Sequence, residues 1–269
     1  YFECDHITDK AGILIKNLYK EFGSGSLKKV AVKNLSLDIA QGRITILLGQ
    51  NGAGKSTTMN IVTGMITPTS GTVYINDYDI VKETKMARKS LSFCPQYNAL
   101  YDELTVKEHF KLYAAIKGVP FYKIDKEVDK TSSMTMLKAF SNRRANQLSG
   151  GMKRKLNLGM AIIGDTQIIV LDEPTSGLDP ESRRAIWDIL LILRKERTIF
   201  LTTHFMEEAD VLADTIAIIG EGELKCYASP MFLKKKFSAG YRLRIVKGEN
   251  CEVAQLNSFI SHFLKIDFL

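Results

Sequence analysis

At 269 residues, 45% hydrophobic and 25% charged, the chain can bury a core as one large domain or two interlocked subdomains, an ordinary globular composition that argues against disorder. Its net charge of +7 is split among short clusters (Arg143-Arg144, Lys153-Arg154-Lys155, Arg183-Arg184, Lys234-Lys235-Lys236), which read as solvated surface rather than as a nucleic-acid or membrane patch. Four dispersed cysteines (Cys4, Cys94, Cys226, Cys251) without a C-x-x-C pair, and four dispersed histidines, argue against a disulfide framework or a zinc site and suit a reducing cytosol.

No apolar run approaches the roughly 18–20 residues of a membrane span. The opening Tyr1-Phe2-Glu3-Cys4-Asp5 is no signal peptide and has no initiator Met, so the chain reads as a piece of a longer protein. From Gly12 to Leu48 the pattern is that of strands: Ile13–Ile15, Val30–Val32 and Leu35–Ile39, with a turn at Gly23-Ser24-Gly25-Ser26. The continuous apolar run Ile44–Leu48 is the kind of strand buried on both faces of a parallel sheet.

That run leads into Gly49-Gln50-Asn51-Gly52-Ala53-Gly54-Lys55-Ser56, which matches G-x-x-x-x-G-K-[ST] in full. Glycines let backbone amides turn in on phosphates without a Cβ clash. A helix starting near Lys55, with Met59, Val62 and Met65 at helical spacing, aims its positive end at the same anion. Lys55 is expected on the β- and γ-phosphates, and the Ser56 hydroxyl on Mg²⁺. The glycine spacing excludes a dinucleotide fingerprint.

Thr72–Ile75 and Leu91–Phe93 are further short strands. The chain then turns largely helical from Thr105 to Ile163, and Thr105-Val106-Lys107-Glu108 has the form of a capping box. Within this region Ser149, Gly150 and Gly151 precede a helix with Met152, Leu156, Met160 and Ile163 on one face, which gives a second anion site. Ile168–Leu171 is another buried strand, ending in Asp172 and Glu173. Ligands of parallel sheets sit at the carboxyl ends of strands. Alternation places the two acids on opposite sides of the strand, so Asp172 is assigned to Mg²⁺ and Glu173 to the general base. Asp179 caps a helix opened by Pro180, with Ile186, Ile189, Leu190 and Leu193 on one face. Thr198–Leu201 and Thr215–Ile219 complete the alternation of a parallel α/β core. Tyr241–Val246 alternates like an edge strand, and Cys251–Leu264 is weakly amphipathic.

The order of these motifs over nearly the whole chain, with Leu148-Ser149-Gly150-Gly151 upstream of Asp172-Glu173, resembles the ABC ATPase family. The resemblance implies a P-loop parallel-sheet core with an antiparallel β subdomain and an inserted α-helical subdomain near 97–160. It implies an ATPase domain over 1–240 and the start of a regulatory segment at 241–269. Two such domains would pack head to tail, so that Ser149, Gly150 and Gly151 close over ATP held by Gly49, Asn51, Gly52, Ala53, Gly54, Lys55, Ser56 and Thr57 of the other. By the same resemblance Gln96 touches Mg²⁺ and senses the transmembrane part. Asp179, in Ser176-Gly177-Leu178-Asp179, crosses the dimer interface. His204 holds the γ-phosphate and orients Glu173. Phe22 stacks on adenine, with Tyr19 as the competing aromatic.

Cys94-Pro95-Gln96-Tyr97-Asn98, Leu148–Leu156 with its Met-Lys-Arg-Lys, and Ser182-Arg183-Arg184-Ala185-Ile186-Trp187 are similar to the A subfamily of large lipid transporters, and to the first of its two nucleotide-binding domains. Gln50 and Ser56 depart from its usual His and Thr without loss of chemistry. The implied setting is the cytoplasmic face of a membrane, with transmembrane domains and a second nucleotide-binding domain as partners, ATP and Mg²⁺ as cofactors, no other metal and no nucleic acid. Two other readings are weighed. One is a soluble ABC ATPase acting on ribosomes or DNA, which would carry a second module or a long coiled-coil insertion not found between Gly71 and Gln147. The other is a regulatory module that holds ATP without turnover, against which Glu173 and His204 stand.

Overall fold

In the computed structural model, residues 11–23 and 28–237 are described. The chain divides into two compact units, Tyr1–Leu233 and Lys234–Leu269, and the first holds all the described strands. In chain order the elements are β1 (Ala11–Phe22), β2 (Lys29–Ala40), β3 (Ile44–Leu48), α1 (Lys55–Val62), β4 (Ser70–Ile75), β5 (Tyr78–Asp79), α2 (Thr84–Lys89), β6 (Leu91–Cys94), α3 (Val106–Ile116), α4 (Phe121–Met134), α5 (Gly150–Ile162), β7 (Ile168–Asp172), α6 (Pro180–Leu193), β8 (Thr198–Thr203), α7 (Met206–Leu212), β9 (Thr215–Gly220), β10 (Glu223–Ala228) and α8 (Pro230–Phe237).

Two sheets form. One is antiparallel, in the order β2-β1-β4-β5. The other runs β10-β9-β3-β8-β7-β6, parallel throughout except for β10 at its edge. Every residue of β3 and β7 is buried, because each strand feeds two cores. Leu47, Ile168 and Val170 pack with α1 and the antiparallel sheet. Ile44, Ile46, Leu48, Ile169 and Leu171 pack on the other face with α5, α6 and α7. A third core joins α3, α4 and α5 through Phe110, Val128, Leu156, Met160 and Ile163. Leu158, Ala161 and Ile162 of α5 meanwhile belong to the sheet-side core, so α5 ties the helical layer to the sheet.

Several expectations are met in detail. Thr105 Oγ1 accepts the Glu108 amide at 3.2 Å, and Glu108 Oε2 accepts the Thr105 amide at 2.7 Å, which closes the capping box. Asp179 Oδ2 accepts the Ser182 amide at 2.9 Å, and Ile186, Ile189, Leu190 and Leu193 are all buried.

Others are corrected. Val30–Val32 and Leu35–Ile39 form one strand, because Asn34 turns through φ +51° without ending it; Asn tolerates the left-handed region. Met65 lies past the end of α1 and is 59% exposed, and Ile61 takes the buried place instead. Gly150 and Gly151 are the first residues of α5 rather than a lead-in to it, with Ser149 as the cap accepting the Met152 amide at 3.3 Å. β10, where Leu224, Cys226 and Ala228 alternate with Glu223, Lys225 and Tyr227, was missed by sequence reasoning. The segments 241–246 and 251–264 lie outside the described residues.

Candidate functional site

The turn between β3 and α1 is shaped by its glycines. Gly54 caps α1 at φ +103°, and a Cβ there would run into the Ala31 carbonyl, so only glycine fits. The Ala53 amide donates back to Gln50 O at 3.2 Å. Lys55, 5% exposed, folds over the turn and donates to Gly49 O at 2.8 Å and Gln50 O at 3.2 Å. Its ammonium also lies 3.3 Å from Glu173 Oε1.

Glu173 sits just beyond the end of β7, at φ +43°. Strand alternation therefore does not extend from Asp172 to Glu173, and the separation of the two acids comes from a left-handed turn. Thr202 at the end of β8 fixes both. Its Oγ1 donates to Asp172 Oδ1 at 2.6 Å and accepts the Glu173 amide at 2.9 Å. The Glu173 carboxylate then collects three groups from three other segments. Besides Lys55, Gln96 Nε2 donates to Oε2 at 3.2 Å, and His204 Nδ1 lies 3.4 Å from Oε2. The His204 ring packs on Phe205 with centroids 4.0 Å apart.

Lys55, Gln96, Glu173 and His204 line one open cleft of about 700 Å³, together with Phe22, Asn51, Gly52, Gly54, Ser56 and Thr57. Gly49 and Ala53 line an adjoining cleft beside the same turn. Phe22 stands at the cleft 41% exposed, whereas Tyr19 lines a separate hollow with Lys16 and Asn34. Asp172 lies beneath the cleft, 5% exposed. Ser149, Gly150, Gly151 and Asp179 are not part of the cleft lining. They gather where the first turns of α5 and α6 meet. A Cβ on Gly151 would collide with the Ser182 hydroxyl, while one on Gly150 would meet nothing within 4 Å.

The oxygen donors at the cleft include the Ser56 hydroxyl, the Gln96 amide oxygen and the Glu173 carboxylate, with the buried Asp172 next to Glu173 in the chain. This hard-oxygen set fits Mg²⁺ shared with phosphate oxygens. Glycine turn, helix start and buried lysine make a phosphate cradle. The carboxylate beside it, held by Lys55, Gln96 and His204, is placed to orient or deprotonate a water.

Sequence reasoning missed Arg154. Within Lys153-Arg154-Lys155 it reads as surface charge, yet it is 3% exposed and all its hydrogen bonds go to backbone carbonyls of the segments around Gln96 and Glu173. The one available signal was position, two residues beyond Met152 on the sheet side of α5. Glu208, fully buried, was also missed. Its Oε1 accepts Thr175 Oγ1 at 2.8 Å and Trp187 Nε1 at 3.0 Å. Among the described residues no helix is long and apolar enough to cross a membrane.

Residues 32–176 match the family model described as "ABC transporter". The chain is 47% identical over 262 residues, 97% of its length, to "Phospholipid-transporting ATPase ABCA3" of Mus musculus. It is 46% identical over 252 residues, 94% of its length, to "ATP-binding cassette sub-family A member 17" of the same organism. These matches take in 15% and 14% of the two relatives, so the chain spans a small part of the curated proteins that it matches. Among solved structures it is similar to the dimeric ATP-binding cassette MJ0796 in a post-hydrolysis state bound to ADP and Pi. That likeness has a TM-score of 0.73 at 28% identity, over 81% of this chain and 98% of the other.

Proposed function

The chain belongs to the ABC transporter family as its ATPase domain, and from that premise we propose that it drives lipid movement across a membrane by hydrolysing MgATP at the Lys55–Glu173 cleft. The observation that carries the reading is the convergence of Lys55, Gln96 and His204 on one carboxylate at the rim of the phosphate turn. In this reading Gly49–Thr57 cradle the phosphates and Phe22 stacks on adenine. Ser56, Gln96 and Asp172 hold Mg²⁺, which supplies charge neutralisation of the phosphate oxygens when bound. Glu173 takes the proton of the attacking water, and His204 orients it.

Ser149, Gly150, Gly151 and Asp179 stand outside the cleft lining, which supports their acting on nucleotide held by a second domain. The partner would be another nucleotide-binding domain, and the transmembrane domains of the parent protein would couple through the segment after Gln96. The ATPase domain is assigned to about residue 240, with 97–160 as its helical subdomain and 241–269 opening a regulatory segment, at the cytoplasmic face of the membrane.

The relatives named as phospholipid-transporting ATPases support the substrate class. The test is ATP turnover of the full-length protein in liposomes. Stimulation by particular phospholipids is expected, with no salt-sensitive binding of RNA or DNA. Turnover indifferent to every phospholipid headgroup, with tight salt-sensitive RNA binding, would replace lipid transport by the ribosome or DNA reading.

A further inference from the structure

Arg154 lies in the second turn of α5, the helix that Ser149 caps, and is almost wholly buried. A guanidinium has five N–H donors in a fixed planar fork, and here all of them are used. Nε donates to Pro174 O at 2.7 Å. Nη1 donates to Pro95 O at 2.7 Å and Gln96 O at 2.9 Å. Nη2 donates to Asp172 O at 3.1 Å and Glu173 O at 3.0 Å. Every acceptor is a main-chain carbonyl; none is a carboxylate. Two of those carbonyls belong to the segment that carries Gln96, and three to the segment that carries Asp172 and Glu173.

A buried cation without a carboxylate in its hydrogen-bond shell is costly unless its donors are satisfied. Fold stability alone does not demand one, since a well-packed apolar residue often serves as well in such a place. What the guanidinium supplies is geometry, because a planar fork holds five carbonyls in one fixed arrangement. Asn157, one turn further along α5, adds to the same junction. Its Nδ2 donates to Tyr97 O at 3.3 Å, with Cys94 Sγ also at 3.3 Å.

We infer that Arg154 is a positioning residue for hydrolysis, locking the backbones of Gln96 and Glu173 to each other and to the α5 helix that carries Ser149 at its head. Displacement of α5 then displaces both groups that face the attacking water, so the arrival of a partner at Ser149 is felt at Glu173. This inference rests on the reading of Glu173 as the base. A misplacement of about 1 Å at reacting groups can cost on the order of 10²-fold in rate, whereas nucleotide affinity resides in the phosphate turn, which Arg154 does not touch.

The experiment uses the full-length protein with Arg154→Lys and Arg154→Gln, which provide fewer donors in other geometries. Turnover is expressed per nucleotide-binding site by titrating bound ATP, so loss of folded protein cannot mimic loss of rate. We expect ATP affinity within about twofold of wild type and kcat per site lowered roughly 10- to 100-fold, with KM little changed. Adding Gln96→Ala to Arg154→Lys should cost less than the sum of the two single effects, because Arg154 acts partly through Gln96. Unchanged kcat per site in both variants, or failure of both to give nucleotide-binding protein, would make Arg154 a stability residue and overturn the inference. Glu173→Gln is measured alongside. If that variant hydrolyses normally, it is the base assignment that fails, whatever the Arg154 variants do.

Discussion

The ammonium of Lys55 lies 3.3 Å from Oε1 of Glu173, with the two side chains 5% and 9% exposed. An arriving phosphate must therefore share Lys55 with Glu173. Lys55→Ala and Lys55→Met should both weaken ATP binding tenfold or more, about 1.4 kcal/mol, since the loss is one of charge at the phosphates. Calorimetry on the two variants checks this. An affinity equal to wild type in either would contradict the phosphate-turn reading.

The two glycines at the head of α5 should behave differently. Gly150 has open space where a Cβ would be, and Gly151 has the Ser182 side chain there. Gly150→Ala should fold normally, with no loss of stability, since Gly150 is the first residue of the helix and a Cβ there meets nothing, while turnover in the full-length protein falls. Gly151→Ala should lower the melting temperature. Thermal melts and ATP turnover on the pair separate packing within the chain from approach of a second domain. Full activity of Gly150→Ala would argue against that approach.

Phe22 and Tyr19 differ in which hollow they face. Phe22→Ala should weaken ATP binding by ~1 kcal/mol or more through lost base stacking, and Tyr19→Leu should leave it unchanged. Fluorescent-nucleotide titration decides, and the reverse result would move the adenine site to Tyr19.

Much of this site is legible from residues alone because its motifs are contiguous. Gly49–Ser56 carries its geometry in adjacent positions, Asp172-Glu173 stands out as an acid pair at a strand end, and Ile44–Leu48 and Ile168–Leu171 are apolar throughout because both faces are buried. What stays hidden depends on contacts far apart in the chain. Arg154 sits between two lysines and is identified only by carbonyls 18 to 59 residues away. Thr202 is known as the holder of both acids only once β7 and β8 pair Asp172 with Thr202. The left-handed turn at Glu173 has no local signature, since glutamate seldom adopts it. The antiparallel pairing of β1, β2 and β4 is likewise set by partners, not by composition.

His109, fully buried in α3, is held as a neutral ring. Its Nε2 accepts the Tyr101 amide at 3.0 Å, so Nδ1 carries the proton toward Thr105 O at 2.9 Å. Burial holds its pKa below the ordinary histidine value, against the opposing pull of the Thr105 carbonyl and Glu108. The unfolded chain, near 6.5, then binds more protons than the folded one as the medium acidifies. The contribution is full above pH ~6.5 and is lost as pH falls below it. Melting temperature should drop between pH 7 and 5, and His109→Gln should flatten that drop. An equal drop in the variant would assign the acid sensitivity elsewhere.

Whether Glu173 is the base for hydrolysis is decided by replacing its carboxylate with an amide of the same shape. Glu173→Gln in the full-length protein keeps the side chain between Lys55, Gln96 and His204 but cannot take a proton. Release of phosphate from bound ATP should fall ~10²-fold or more, while ATP affinity is retained or increased as a negative charge leaves the phosphate cleft. Phosphate release near the wild-type rate, with ATP bound as tightly, would show that Glu173 is not the base.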